Sequence, residues 1–377
     1  MTEIFFQLIQ VALGRRTALE RTLTAAEWNE LYQMVKKQVL VGIGFVGMQR
    51  LPSEQWPDRS LVLKWNKAAQ KLEDKNNDLN KRCEALCRRF QQDDFWVCVL
   101  KGQSNLPYYP KQLRTMRNPG DIDLWVRDGK GLDVRSVIEY CDAIRPGQHK
   151  IYYHMEFPIF LDVETEVHYR PTYLNSPFRN RVLHRWFEEQ AKEQVNNIQS
   201  IGKNQFPVPT LEFNVVYQLL HIYRHLFLEG IGLRQLIDYH FVLQAYEQSS
   251  LSASKRAELW QLICRLGMKK FAGAVMWVLQ KVCDTEEKYL LCPARQKGGE
   301  FLLSEIMVAG NFGHYDTRFG AKAPEGTLKH SVQKQLHNML FLTSYPEEVF
   351  FEPCYRFFHW AWRTFRLWRY GIGYAGT

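Results

Sequence analysis

Asp121 and Asp123 stand one residue apart in the stretch RNPGDIDLW, among Ile122, Leu124, Trp125 and Val126, which favour a strand. Side chains two apart on a strand point the same way, so both carboxylates share a face. Like charges at that separation repel, and burying either one is costly unless it is paired or bound to metal. The pair therefore asks for a cation. A strand expected over 159–169 carries Asp162, Glu164, Glu166 and His168 at alternate positions, and Glu164 or Glu166 can face the aspartates across a sheet. Three carboxylates converging on one spot suit a hard divalent cation, Mg²⁺ or Mn²⁺. Such a centre supports in-line displacement at phosphorus, with a nucleoside triphosphate as donor.

Other residues nearby carry compatible chemistry. WVCVLKG reads as a short strand ending in Lys101 and Gly102. Glycine lets backbone approach a ligand closely, and N–H groups at a helix start favour phosphate. Lys101 and Arg117 lie close in sequence to the aspartates and offer countercharge to a triphosphate. His168 reads as a packed or hydrogen-bonded histidine. His221 and His225 fall at i, i+4 on a helix, a metal-binding spacing, but no carboxylate motif accompanies them, and a core role fits better. Arg234 and Asp238, at the same spacing, read as an ion pair beside the cleft.

The elements that must position these groups show in the texture of the chain. Residues 1–92 are helical in pattern: T-A-A-E at 24–27 is a capping box, and Ser60 is placed to open a long polar helix. From Trp96 the pattern turns to strands at about 96–100, 121–126, 150–157 and 159–169, with a helix over 131–144 and another over 177–194. From Val208 the periodicity is helical again, with helices over 211–227, 232–246 and 255–267, a Gly-rich loop at 310–326 and an aromatic helix over 353–370. In that last helix Arg356, His359, Arg363 and Arg366 recur at spacings of 3, 4 and 3. They form either a solvated edge of a docked helix or a nucleic-acid-facing stripe.

Composition narrows the class. The 377 residues exceed one small domain, and 46% hydrophobic with 24% charged is ordinary globular composition, which argues against disorder. A net charge of +9 favours anionic partners such as nucleotides. Eight cysteines show no second close pair at zinc spacing, so reduced thiols and a cytoplasmic setting are expected. The N-terminal apolar run lacks preceding basic residues and a cleavage site, so no signal peptide is expected. No stretch of 18 apolar residues occurs, so no membrane span is expected.

With those residues in view, LKGQSNLPYYP, RNPGDIDLWV, VETEVHYRP and HIYRHLFLEGIGLRQLIDYHFVL together resemble a bacterial group of uncharacterised nucleotidyltransferases within the DNA polymerase beta-like superfamily. The resemblance covers about 85–245. It implies an α+β fold, a small mixed sheet flanked by helical regions, divided as 1–92, 93–200 and 201–377. It implies transfer of an NMP from an NTP to a hydroxyl on an unknown small molecule, RNA or protein. Asp121, Asp123 and Glu166 match the three catalytic metal ligands, and Gly102 matches the glycine of the superfamily's Gly-Ser turn. Gln103 intervenes before Ser104, so Lys101 or Arg117 is expected to stand in for the serine; Lys101, Gly102, Ser104, Arg117 and Gly120 form the expected nucleotide-binding set. Two other classes compete: a catalytically silent nucleotide- or RNA-binding module of the same fold, and an interaction protein dominated by its helices.

Overall fold

The computed structural model describes residues 1–129, 134–249, 253–320, 327–366 and 368. Four helices come first: α1 (Thr2–Ala12), α2 (Ala25–Lys37), α3 (Val41–Arg50) and α4 (Arg59–Gln92). The next segment holds β1 (Phe95–Val99), the short α5 (Lys111–Arg114), β2 (Ile122–Asp128), α6 (Val134–Ile144), β3 (His154–Glu156), β4 (Thr165–His168) and α7 (Pro177–Asn196). A hairpin of β5 (Ile198–Ile201) and β6 (Asn204–Pro207) follows, then α8 (Leu211–Leu228), α9 (Leu233–Gln248), α10 (Ala253–Arg265), α11 (Lys269–Cys283), α12 (Gln296–Ala309), α13 (Leu328–Met339) and α14 (Pro346–Ala361).

The first four strands form one sheet in the order β1–β2–β4–β3. β2 and β4 run parallel and the outer pairs antiparallel, so the sheet is mixed and the fold is α+β. Alternation sorts its two faces. Ile122, Leu124 and Val126 of β2, with Val97, Val99 and Val167, bury against Leu79, Cys83, Leu86 and Phe90 of α4 and Val137, Ile138 and Cys141 of α6. The intervening positions, Asp123 and Trp125, face the other way, where the Trp125 ring stacks 5.7 Å from Phe213 of α8. The strand period therefore gives one greasy face to the core and turns the acidic face toward α8.

Helix starts follow their caps. Thr24 accepts from Glu27 N while Glu27 returns to Thr24 N, the expected box. At α4 the cap is Asp58, which accepts from Leu61 N, and Ser60 donates to Asp58 instead of capping. The expected strands over 150–157 and 159–169 shrink to three and four residues. Pro158 lies between them and has no N–H to give a ladder. Asp162 is turned out to pair with Arg82 at 2.7 Å. Sequence periodicity missed the β5–β6 hairpin; its Ile201 and Phe206, with Val208, join the sheet-side core, which so continues past residue 200. The last helix starts at Pro346, earlier than expected, because proline at a first helical position costs no hydrogen bond. Residues 131–133, 321–326, 367 and 369–370 of the expected elements lie outside the described residues.

Helices from both ends of the chain share a second core. Phe5 and Leu8 of α1 and Val46 and Met48 of α3 pack in one cluster with Leu219 of α8, Leu236 of α9 and Met276 of α11. Tyr355 of α14 stacks 4.0 Å from Tyr173, and Trp362 is buried against Tyr152 and Tyr169. Arg356 pairs with Glu352. One aromatic side of this tail is thus docked, while Phe357, Trp360 and Phe365 remain exposed. Among the described residues no helix is long and apolar enough to cross a membrane.

Candidate active site

β1 ends at Val99, and Leu100 N donates to Asp123 O, which locks the start of the site against β2. The chain then turns at Gly102, whose φ of +67° favours glycine, into a short 3₁₀ segment. That segment is tied on both sides: Gln103 donates to Asn80 of α4, and Asn105 accepts from Asn214 and Gln218 of α8. Lys101, just before the turn, reaches back over the carboxylates. Its Nζ lies 3.0 Å from Asp121 Oδ2 and 3.2 Å from Asp123 Oδ2.

Strand register supplies the third acid. Asp123 sits opposite Glu166 across the β2–β4 pair. One carboxylate oxygen each from Asp121, Asp123 and Glu166 lie within 4.8 Å of one another. The expected convergence is present, and Glu164 is not in the group. Its backbone oxygen accepts from Ile122 N, and its side chain is exposed at the cleft edge. His168, on the same face of β4 as Glu166, places Nε2 2.9 Å from Asp123 Oδ1 and 3.1 Å from Glu166 Oε2.

The charges divide unevenly. Burial pushes the Asp121 carboxyl up, but Lys101 beside it outweighs this and holds it well below the usual carboxylate range. Asp123, fully buried, is pushed up by desolvation and then by Asp121. Burial disfavours the Lys101 ammonium, yet Asp121, Asp123 and Glu166 together hold its pKa well above normal. Burial likewise opposes charge on His168, but its bonds to Asp123 and Glu166 raise its pKa to about 9. The cluster is thus a set of carboxylates balanced by Lys101 and His168.

In front of it opens a cleft of about 660 Å³, a volume suited to a small ligand. Tyr153, Tyr173 and Phe312 offer it aromatic surface, and His221 and His225 line it from α8. Burial holds both histidines neutral, His225 at about 3. Gly120 and Lys101 also face this cleft, while Gly102 lines a small crevice beside it with Asp121.

Two expected nucleotide contacts do not line this cleft, although Arg117 borders the crevice with Gly102. Ser104 is fully buried, turned away from the cleft lining. Arg117 is buried in a two-bond pair with Asp238, Nε to Oδ1 and Nη2 to Oδ2, both 2.7 Å, and Tyr109 donates to the same carboxylate. The expected Arg234–Asp238 pair is therefore not formed, because the guanidinium of Arg117 takes both oxygens of Asp238. Arg234 instead donates to the Asn118 and Pro119 carbonyls next to Gly120, and its Nε is buried with no hydrogen bond. It lines the cleft with 7% exposure and no ion pair among the described residues. Sequence reasoning missed Arg234 as a cleft cation because helix spacing suggested a local partner. It also missed His154, which lies 3.2 Å from Glu166 through Nδ1; its alternation with Glu156 on a short strand was the only available signal.

A family described as "Uncharacterised nucleotidyltransferase" matches residues 24–284, a span that holds the three acids, Lys101 and Arg234. A solved structure of an antigenic nucleotidyltransferase-like protein from Paracoccidioides brasiliensis is 12% identical, with a TM-score of 0.33 over 59% of this chain and 97% of that one. No curated protein matches. Since the family match spans well over half of the chain and encloses the whole carboxylate cluster, the chain belongs to the uncharacterised nucleotidyltransferase family.

Proposed function

We propose that the protein is a metal-dependent nucleotidyltransferase of the DNA polymerase beta-like superfamily, moving an NMP from an NTP to a hydroxyl on an acceptor. The observation that carries this reading is the convergence of Asp121, Asp123 and Glu166 at one end of a cleft of nucleotide size. The donor set fits a hard divalent cation: three carboxylate oxygens lie close together, and Asp123 Oδ2 is buried with no hydrogen bond, facing only the Lys101 ammonium at 3.2 Å, which a metal ion would displace. Asp121, Asp123 and Glu166 would hold Mg²⁺ or Mn²⁺. Such a cation, when bound, supplies neutralisation of the triphosphate and acidifies the attacking hydroxyl.

The chain's own groups account for the rest. Arg234, buried and without a carboxylate partner, anchors phosphate oxygens at the Gly120 end. Lys101 keeps Asp121 ionised and adds positive charge where the donor phosphates gather. Tyr153, Tyr173 and Phe312 give a nucleobase apolar surface. Glu166 stands where it takes up the acceptor hydroxyl proton. The acceptor oxygen then bonds to the α-phosphorus as the bond to the β-phosphate bridging oxygen breaks, and pyrophosphate leaves. All eight cysteines are free thiols, which fits a reducing compartment for this reaction.

One observation favours a silent nucleotide-binding module instead: the Lys101 ammonium already balances Asp121 and Asp123 without a metal. Transfer of label from α-labelled NTPs to acceptors in a cell extract separates the two. Label transfer that EDTA stops, and that Asp121→Asn with Asp123→Asn abolishes, is the result expected of the enzyme. NTP binding with no transfer to any acceptor would establish the module.

A further inference from the structure

We propose that His154 and His168 join Glu166 in a nitrogen-bearing metal position beside the Asp121–Asp123 pair, so that the centre takes a first-row transition-metal dication in preference to Mg²⁺. This rests on the nucleotidyl-transfer reading for its purpose, but its geometry shares only Glu166 with that of the three acids.

The antiparallel β3–β4 register sets His154 directly opposite His168, with ring centroids 4.9 Å apart. Both rings aim a nitrogen at one oxygen. His154 Nδ1 lies 3.2 Å from Glu166 Oε2, and His168 Nε2 lies 3.1 Å from the same atom. One ligand atom from each of the three residues falls within 4.8 Å of the others. The His154 nitrogen is buried, and its 3.2 Å approach to Glu166 Oε2 does not have hydrogen-bond geometry. A buried imidazole nitrogen left unbonded costs free energy unless something binds it, and a cation between the rings and Glu166 answers that cost. Glu166 belongs to both groups of ligands, so its carboxylate bridges an all-oxygen position and a nitrogen-containing one.

The ligand types decide the metal. Mg²⁺ prefers oxygen donors and keeps its waters, and two imidazoles add little to its binding. Transition-metal dications accept imidazole and carboxylate together, and His168 releases to solvent the Nε2 proton it shares with Asp123 and Glu166 as the ion binds. Short paired strands hold the ligands, so the site is set by backbone register, not by flexible loops.

The test uses the metal-free full chain and Mn²⁺ or Mg²⁺ alone. Calorimetry is expected to show Mn²⁺ bound at least about tenfold more tightly than Mg²⁺, and electron spin echo modulation of bound Mn²⁺ to show directly coordinated ¹⁴N. His154→Phe keeps the ring and removes its nitrogens. It is expected to weaken Mn²⁺ by about 10–100-fold, to remove one nitrogen coupling and to leave Mg²⁺ affinity nearly unchanged. A wild-type Mn²⁺ spectrum without ¹⁴N coupling overturns the proposal, and that measurement needs no variant. So does a folded His154→Phe protein that binds Mn²⁺ as the wild type does. Nitrogen coupling without NMP transfer sustains the site while removing the enzymatic reading; Mg²⁺-supported transfer without nitrogen coupling removes the site alone.

Discussion

Replacing Arg117 with Met asks whether this guanidinium serves the fold or the nucleotide. Its two bonds to Asp238 are each 2.7 Å, and the two side chains are 5% and 4% exposed, so solvent does little to screen them. Removing one partner of such a pair leaves a buried carboxylate with only the Tyr109 hydroxyl to satisfy it. Loss of one member of a buried pair costs about 3–5 kcal/mol, against about 0–1 kcal/mol for a surface pair. The double change Arg117→Met with Asp238→Leu removes both charges and orphans only the Tyr109 hydroxyl, a cost of about 1–3 kcal/mol. The double variant should therefore be more stable than Arg117→Met alone. Urea unfolding followed by circular dichroism and by tryptophan fluorescence gives the midpoints, and agreement of the two probes checks that one transition is being measured. In buffer, the double variant, which leaves Arg234 no freed carboxylate to turn to, should match the wild type in affinity for Mg-NTP. Wild-type stability combined with lost NTP affinity would refute the reasoning, because it would mean that Arg117 faces phosphate in solution.

Arg234→Ala should do the reverse. It should weaken Mg-NTP binding by about 10–100-fold, the worth of one charge-assisted contact, while leaving the ligand-free melting curve unchanged or slightly raised; equal affinities by calorimetry would remove Arg234 from the nucleotide site. Asp121→Asn with Asp123→Asn should lower the metal-free melting temperature, since Lys101 at 14% exposure loses both countercharges. A rise, which the repulsion of an isolated aspartate pair predicts, would show that Lys101 is not held between them. Acid should destabilise the protein through His240, whose imidazole is buried beside Thr285 and held at about 3 by desolvation. In the unfolded chain that group titrates near about 6.5, so the unfolded state binds more protons between the two values. Its stabilisation is full above that range and is lost as pH falls through it. His240→Gln should flatten the stability profile between pH ~6.5 and ~5, above most carboxylate titrations; an unchanged slope there would assign the loss to other groups.

What could be read from the sequence was whatever local spacing controls. The capping box at Thr24 and Glu27, the spans of α7, α8 and α9, and the shared face of Asp121 and Asp123 all follow from periods of 3.6 or 2. Glu166 was within reach for the same reason: a strand of alternating acids leaves only two candidates, and the β2–β4 register chooses between them. Partners distant in the chain were not legible. Asp238 has Arg234 one helical turn away, yet bonds Arg117, 121 residues upstream, because both its oxygens meet a planar guanidinium there. Helix spacing states which residues share a face and not which element packs upon it.

That distinction explains the division of labour among the cations of the site. From sequence, Lys101 and Arg117 are expected to face phosphate and Arg234 to pair with Asp238, and the fold gives each a different task. Arg117 meets a buried carboxylate and becomes structural. Lys101 lies between Asp121 and Asp123 and sets their charge before any ligand arrives. Arg234 hydrogen-bonds backbone carbonyls, lies over the Phe312 ring and makes no ion pair among the described residues at the cleft wall. A buried arginine without a carboxylate is costly, so its persistence beside Gly120 is best understood if an anion completes it. On the proposed reading a metal ion would take over the carboxylates from Lys101 and His168, and the arginine at the cleft wall would take the anion. A metal-bound triphosphate lying between them would do both at once, which neither a free metal ion nor a free phosphate would.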